Sequence, residues 1–236
     1  PLNIRELSKQ NKIKVIMNKT FYELKNLKKL DLRFNSIVIL EEEGLKGLIN
    51  LNELDLSENR IKILVNRSFS DLNNLIKLNL SLNLIVTIEE DGFFGLENLN
   101  ELNLYNNQLK FIHKNFLNRL KSLKSINLQS NSIKIIEEEC FMFNENLKTL
   151  ILTGNLIKTI GKNAFYGTSI QISHTFKNLK LEYLEECAFC GIQTNQIILN
   201  LDSNFFSYLK NIFFKDLLNI TILSINKNKI NFIEDA

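Results

Sequence analysis

The side chains of this 236-residue chain that could do chemistry are few: two histidines, three cysteines and a recurring acidic cluster. His113 and His174 are too far apart in the chain's repeating order to share a metal or form a base–nucleophile pair. Cys187 and Cys190 stand in a CAFC stretch with the spacing of a redox pair or half a zinc site. Zinc would need two further ligands, and no second pair exists. Three states of these cysteines stay open: buried free thiols, a local Cys187–Cys190 bond, or pairing with residues outside the segment. Cys140 has no partner within disulfide reach, and an odd count leaves at least one thiol unpaired within the chain. The acidic clusters, Glu41–Glu43, Glu89 to Asp91 and Glu137–Glu139, lie where loops are expected. No HExxH, GxSxG or glycine-rich phosphate loop occurs. The expectation is therefore no catalytic residue, no metal, no cofactor and no enzyme.

The elements that carry these residues follow from one internal period. Asn35, Asn59, Asn83, Asn107, Asn131 and Asn155 recur every 24 residues, Asn11 precedes them by the same step, and Asn204 and Asn228 form a further pair. Between Asn155 and Asn204 lies an irregular turn near Leu179, which makes ten turns in all. Around most of these Asn residues, Leu or Ile occupies −8, −5 and −3, apolar residues recur at +2 and +5, and Phe or Leu sits at +10, from Phe21 and Leu45 to Phe165 and Phe214. The Leu-x-Leu step has period two, which predicts a short strand with both leucines on one face. One such strand cannot bury its apolar face alone. Stacking successive turns builds a parallel sheet and a continuous core. Where each strand ends, backbone groups need partners inside the core. Asn offers a donor and an acceptor on a short stem, so Asn35, Asn59, Asn83, Asn107, Asn131, Asn155, Asn204 and Asn228 are expected to form a structural ladder.

Two turns depart from the pattern. The eighth places Leu179 where the Asn belongs and His174 at a core position, while Leu181, Leu184 and Phe189 keep step. The first carries Glu6 and Ser8 at core positions, with Leu7 between them.

The skeleton LxxLxLxxNxIxxIxxxxFxxLxx resembles the typical 24-residue leucine-rich repeat, the class of Toll-like receptor, Slit, chaoptin and small leucine-rich proteoglycan ectodomains. That resemblance covers essentially the whole chain. It implies an α/β-type repeat solenoid, a horseshoe with a concave parallel sheet and an irregular or short-helical convex side. Residues 1–236 are read as a single domain, itself a segment of a longer protein, without the cysteine-rich caps usual in extracellular members.

A second period of two repeats overlies the first. The +6 to +8 loops alternate between acidic ("EEE", "EED", "EEE", "EEC") and neutral or basic ("MNK", "VNR", "HKN", "GKN"), and the −6 position reads Lys29, Glu53, Lys77, Glu101. Charge balancing between neighbouring turns and descent from a duplicated two-repeat unit account for this.

Recognition is expected on the outward side chains of the strands. Arg33, Phe34, Glu53, Asp55, Lys77, Asn79, Glu101, Asn103, Tyr105, Asn127, Gln129 and Ile151 form this candidate partner-binding set. Exposed aromatics and Arg are enriched in binding hot spots. Four N-x-S/T sequons make Asn18, Asn66, Asn79 and Asn219 candidate N-glycosylation sites. With 29 basic and 26 acidic residues, the net charge of +3 implies neither nucleic acid nor a membrane surface. No apolar run is long enough to insert in a bilayer. The resemblance implies a non-catalytic protein-recognition module, extracellular or at the cell surface, that binds a protein ligand or co-receptor and is a candidate homo- or hetero-oligomer. A cytoplasmic scaffold or adaptor is the alternative.

Overall fold

The computed structural model describes residues 11–171, 175–194, 197–215, 217 and 219–234. The features expected at Glu6, Leu7, Ser8 and His174 lie outside these residues. The chain is a solenoid of parallel strands with almost no helix: among the described residues, one four-residue α-turn at Lys114–Leu117 and one 3-10 turn at Asn211–Phe214. It divides into two compact units, Pro1–Leu109 with Arg119–Ile126, and Lys110–Asn118 with Asn127–Ala236.

In the first unit, strands Lys29–Asp31, Glu53–Asp55, Lys77–Asn79 and Glu101–Asn103 pair in parallel, with Lys29 opposite Glu53, Glu53 opposite Lys77 and Lys77 opposite Glu101. The 24-residue period is thus the hydrogen-bonding step itself. Four and five residues beyond each Asn, the chain forms a second ladder along a flank: Val15–Ile16 pairs with Ile39–Leu40, and Ile63–Leu64 with Thr87–Ile88. In the second unit the same flank ladder runs through Phe111–Ile112, Ile135–Ile136, Thr159–Ile160 and Tyr183–Leu184. Strand Ile197–Asn200 pairs with Ile220–Ser224, and Tyr208–Lys210 with Phe232–Glu234.

The core repeats turn by turn. Leu54, Leu56, Ile61, Leu64, Phe69 and Leu72 are all within 2% of complete burial, as are their counterparts one repeat on, save Ile88, which is half-buried. Each such side chain contributes about 1.5–3 kcal/mol by leaving water. Phenylalanines stack along the solenoid, Phe69 on Phe93 at 6.2 Å in the first unit, and Phe141 on Phe165 and Phe165 on Phe189 in the second. One assignment shifts: Phe213, not Phe214, is the buried ring after Asn204, because the 3-10 turn there rotates the loop by one residue.

The Asn side chains join turn to turn. Asn59 Oδ1 accepts from Ile37 N of the preceding turn at 3.0 Å, and its Nδ2 donates to Leu32 O of that turn and to Leu56 O and Ser57 O of its own. Asn83, Asn107 and Asn155 repeat the arrangement, and Asn35, Asn131, Asn204 and Asn228 make the corresponding bonds to their own turns. Four backbone groups in the core thereby find partners through one side chain.

The eighth turn is built differently. Leu179 is fully buried, and its own N–H, together with that of Leu181, donates to Asn204 Oδ1. In the loop beyond it Cys187 and Cys190, three residues apart, form a disulfide, the local alternative of the three open for these cysteines. Cys140 is free and buried, its thiol donating to Ile112 O, and burial pushes its pKa well up.

Candidate recognition surfaces

The outward strand positions resolve into three columns with different jobs. At −6, lysine and glutamate pair across strands: Lys29 with Glu53 at 2.8 Å and Lys77 with Glu101 at 2.9 Å. These pairs are largely exposed, and each is worth about 0–1 kcal/mol. The glutamate raises the pKa of Lys77.

At −4, the acidic and amide residues terminate strands. Asp55 Oδ1 accepts from Ser57 N and Oγ, Asn79 Oδ1 from Ser81 N and Oγ, Asn103 Oδ1 from Tyr105 N, and Asn127 Oδ1 from Gln129 N. A carboxylate or amide placed two residues before a free N–H makes an Asx-turn, which explains why this column is almost all Asp and Asn. Asn79 Nδ2 also donates to Asp55 Oδ2 at 3.1 Å. Ile151 is half-buried and breaks the column.

At −2, Ser57 and Ser81 are buried rather than outward. Tyr105 and Gln129 are half-buried, and Arg33 is exposed. Arg33 is held by Asp31 at 2.7 Å and lies 3.7 Å from Asp55. Partial burial opposes ionisation of Asp31, but its bonds from Arg33 outweigh that and hold its pKa below the usual value. The strand face of the first unit is therefore a connected, internally paired polar surface. Phe34 is the exception, 51% exposed with nothing paired against it.

The loops explain the two-repeat period. Glu41 Oε2 accepts from Asn18 N at 3.0 Å, Glu89 Oε2 from Asn66 N at 2.8 Å, and Glu185 Oε2 from Lys162 N at 3.0 Å. In these three cases the first acid of an even turn accepts from a loop amide of the odd turn before it, and a charged acceptor makes the stronger hydrogen bond. Other acids are paired outward, Glu43 with Lys46 and Asp91 with Arg119. His113 Nδ1 lies 3.0 Å from Glu137, exposed. Among the described residues no group of three metal-ligating side chains comes together, and no helix is long and apolar enough to cross a membrane.

The sequons fall in distinct settings. Asn18 and Asn66 are exposed on loops. Asn79 is half-buried on a strand, and the amide nitrogen of Asn219 donates to Thr194 O.

Sequence reasoning passed over the flank beyond each Asn. Val38, Ile39, Ile63, Leu82 and Val86 are each 38–50% exposed there. Lys12, Lys14, Arg60 and Lys62 stand beside them, exposed. The signal was present in the first four turns, where the +3 column reads Lys14, Val38, Lys62, Val86 and the +1 column Lys12, Ser36, Arg60, Leu84.

Comparison with known proteins gives the same repeat. The family model for the BspA type leucine rich repeat region matches residues 64–193 and 158–236, in six copies. A leucine rich repeat model matches residues 6–61. The search of curated proteins found no match. Among solved structures, that of a TLR13–ssRNA13 complex superposes with a TM-score of 0.77 at 24% identity, covering 94% of this chain and 34% of that one. The chain thus spans about a third of TLR13's length, and the likeness is one of fold.

Proposed function

We propose that this chain, which belongs to the BspA-type leucine-rich repeat family, is a non-catalytic protein-recognition module acting as one domain of a secreted or cell-surface receptor- or adhesion-type protein. The observation that carries the reading is the division of labour within each turn. The positions that hold the fold are satisfied by the Asn ladder and the Leu/Phe core, so the exposed positions are free to differ in charge and apolarity from turn to turn. A repeat surface of that kind suits a large partner better than a small substrate. The candidate contact set remains the strand face, Arg33, Phe34, Tyr105 and Ile151 among its residues, or the flank beside it. The Cys187–Cys190 disulfide supports an oxidising compartment. The buried free thiol of Cys140 keeps a cytoplasmic adaptor as the second reading.

Two experiments test this. A photo-crosslinking side chain placed at Tyr105 or Ile63 in native cells should give a discrete protein adduct, and one at exposed Phe143 should not. Absence of an adduct from every position overturns the protein-recognition reading. Mass loss on deglycosylation should map to Asn18 or Asn66, with Asn79 and Asn219 unmodified; material free of glycan at all four favours the cytoplasmic reading.

A further inference from the structure

The flank of the first unit is a striped surface. Backbone bonds run turn to turn beneath it: Ser36 N to Ile13 O, Val38 N to Lys14 O, Arg60 N to Ile37 O, Leu84 N to Ile61 O and Val86 N to Lys62 O, all between 2.9 and 3.1 Å. Side chains at equivalent positions therefore stack about 5 Å apart. The Asn35 turn presents Phe34, Val38 and Ile39, and the Asn83 turn presents Leu82, Leu84 and Val86. The turns that alternate with them present cations at +1 and +3, Lys12 and Lys14 in one, Arg60 and Lys62 in the other, while exposed Val15 and Ile63 continue the apolar row of Ile39 beside them. None of these four cations meets an acidic side chain at salt-bridge distance among the described residues.

The strand face offers a partner much less. Its charges are already paired, Lys29 with Glu53, Lys77 with Glu101 and Arg33 with Asp31. A partner docking there must desolvate those pairs, a cost that their replacement contacts only balance. On the flank the cations are unpaired and the apolar groups uncovered. The backbone adds a second observation. Phe34 and Leu82 have φ of 54° and 55°, where the equivalent turns carry Glu58, Asn106, Ser130 and Gly154. A left-handed residue with a side chain costs about 1–2 kcal/mol, and bulky apolar ones are rare there. Both are exposed, so the fold gains little from their burial that would offset this.

We infer that this flank docks an acidic, apolar segment of a partner protein. The segment's apolar side chains sit over the Asn35 and Asn83 turns, and its carboxylates meet Lys12, Lys14, Arg60 and Lys62. Charge complementarity sets the occupant's sign, and the alternation from turn to turn suits a polypeptide whose extended chain places every second side chain on one face, with acidic and apolar side chains taking turns along that face. Exposed Glu58 lies within the patch and repels any anion set over it, so a continuous array of phosphates, as on a lipid surface or a nucleic acid, fits less well than a segment whose acidic side chains are spaced and can be set away from it. This inference rests on the protein-recognition reading and narrows it to one face and one partner chemistry.

The test is selection of a random peptide library, displayed on phage, on the whole immobilised chain, with anionic phosphatidylserine vesicles and single-stranded RNA as parallel probes. Peptides in which Glu or Asp and Leu, Ile or Phe alternate at every second residue, and so share one face, should be enriched. Synthetic versions should lose about tenfold or more in affinity on an Arg60→Glu/Lys62→Glu chain, and similarly on Phe34→Ser/Val38→Ser. They should keep it on Phe143→Ser, an exposed position outside the flank and the strand face. Unchanged thermal melting shows that each variant is folded; should a double variant fail to fold, the single Lys62→Glu change, at an exposed position, replaces it. Non-acidic winners, no winners, binding indifferent to the flank changes, or preferential capture of vesicles or RNA would each overturn the inference. Flank failure with protein adducts at Tyr105 intact would sink this inference alone; failure of both would sink the recognition reading too.

Discussion

The turn around Asn83 and the turn around Leu179 solve one problem in two ways. In the first, a buried side chain supplies three donated bonds and one accepted bond to the backbone of two turns. In the second, a leucine at the same repeat position supplies none. Its amide is instead taken up by Asn204 from the following turn, and a disulfide pins the loop beyond it. Apolar burial is common to both, for Leu181, Leu184 and Phe189 are as buried as Ile85, Phe93 and Leu96. The core skeleton therefore tolerates losing a rung of the ladder, provided that another constraint holds the loop.

The largest expected effect comes from breaking the regular turn. Asn83→Leu leaves Ile61 N–H and the carbonyls of Leu56 and Leu80 without this partner, and each buried orphan costs about 1–3 kcal/mol. Urea unfolding should show a loss on the order of 3–5 kcal/mol; a loss near zero would mean that water replaces the ladder. Next comes the constraint special to the eighth turn. Reducing the Cys187–Cys190 bond, or replacing both residues by Ser, should cost about 2 kcal/mol, as expected for so short a loop. Hydrogen exchange should quicken in the Tyr183–Leu184 strand and stay unchanged at Glu53–Asp55. Uniform quickening would show that the disulfide serves the whole chain.

The reciprocal change sharpens the comparison further. Leu179→Asn restores the repeat and offers Ile157 N–H the acceptor that Ile37, Ile61, Ile85 and Ile133 enjoy. Stability should stay within about 1 kcal/mol of the parent; a loss like that of Asn83→Leu would mean that the eighth turn has no place for an amide. Acid should have the smallest effect, and act on both regions alike. Asp202 has its pKa lowered, first by the bond from Ser224 and then by that from Asn226. That of Asp31 is lowered by Arg33 against partial burial. A depressed carboxylate pKa contributes stability above its unfolded value, near 3.8 here, which is lost as pH falls through the folded value. Melting temperature should thus be flat from neutrality to about pH 5 and drop below about pH 4. The Asp31→Asn chain should drop less; an equal drop would assign acid lability to other carboxylates.

The period was enough to read the fold, because buried positions admit few residue types and repetition makes them visible. Leu54, Leu56, Asn59, Ile61 and Phe69 could be placed in the core from spacing alone. The strand face was legible only as a set of outward positions. That Asp55 and Asn79 end strands, that Ser57 and Ser81 are buried, and that Arg33 is already paired depend on bonds between residues two or 24 apart. Side-chain direction alone does not reveal these. The acidic loops were seen as a pattern of charge, and their role as acceptors for Asn18, Asn66 and Lys162 amides appeared only with the backbone in place.

The sequence by itself determined the repeating scaffold, its 24-residue step and its Asn ladder, since each rests on local periodicity and on the need of buried polar groups for partners. The tertiary structure decided which exposed side chains are spent on one another and which are left over. Pairing of Lys29 with Glu53, of Lys77 with Glu101, and the uncovered Phe34, Val38, Arg60 and Lys62 are consequences of stacking one turn about 5 Å from the next, a distance at which neighbours in space are a full repeat apart in the chain.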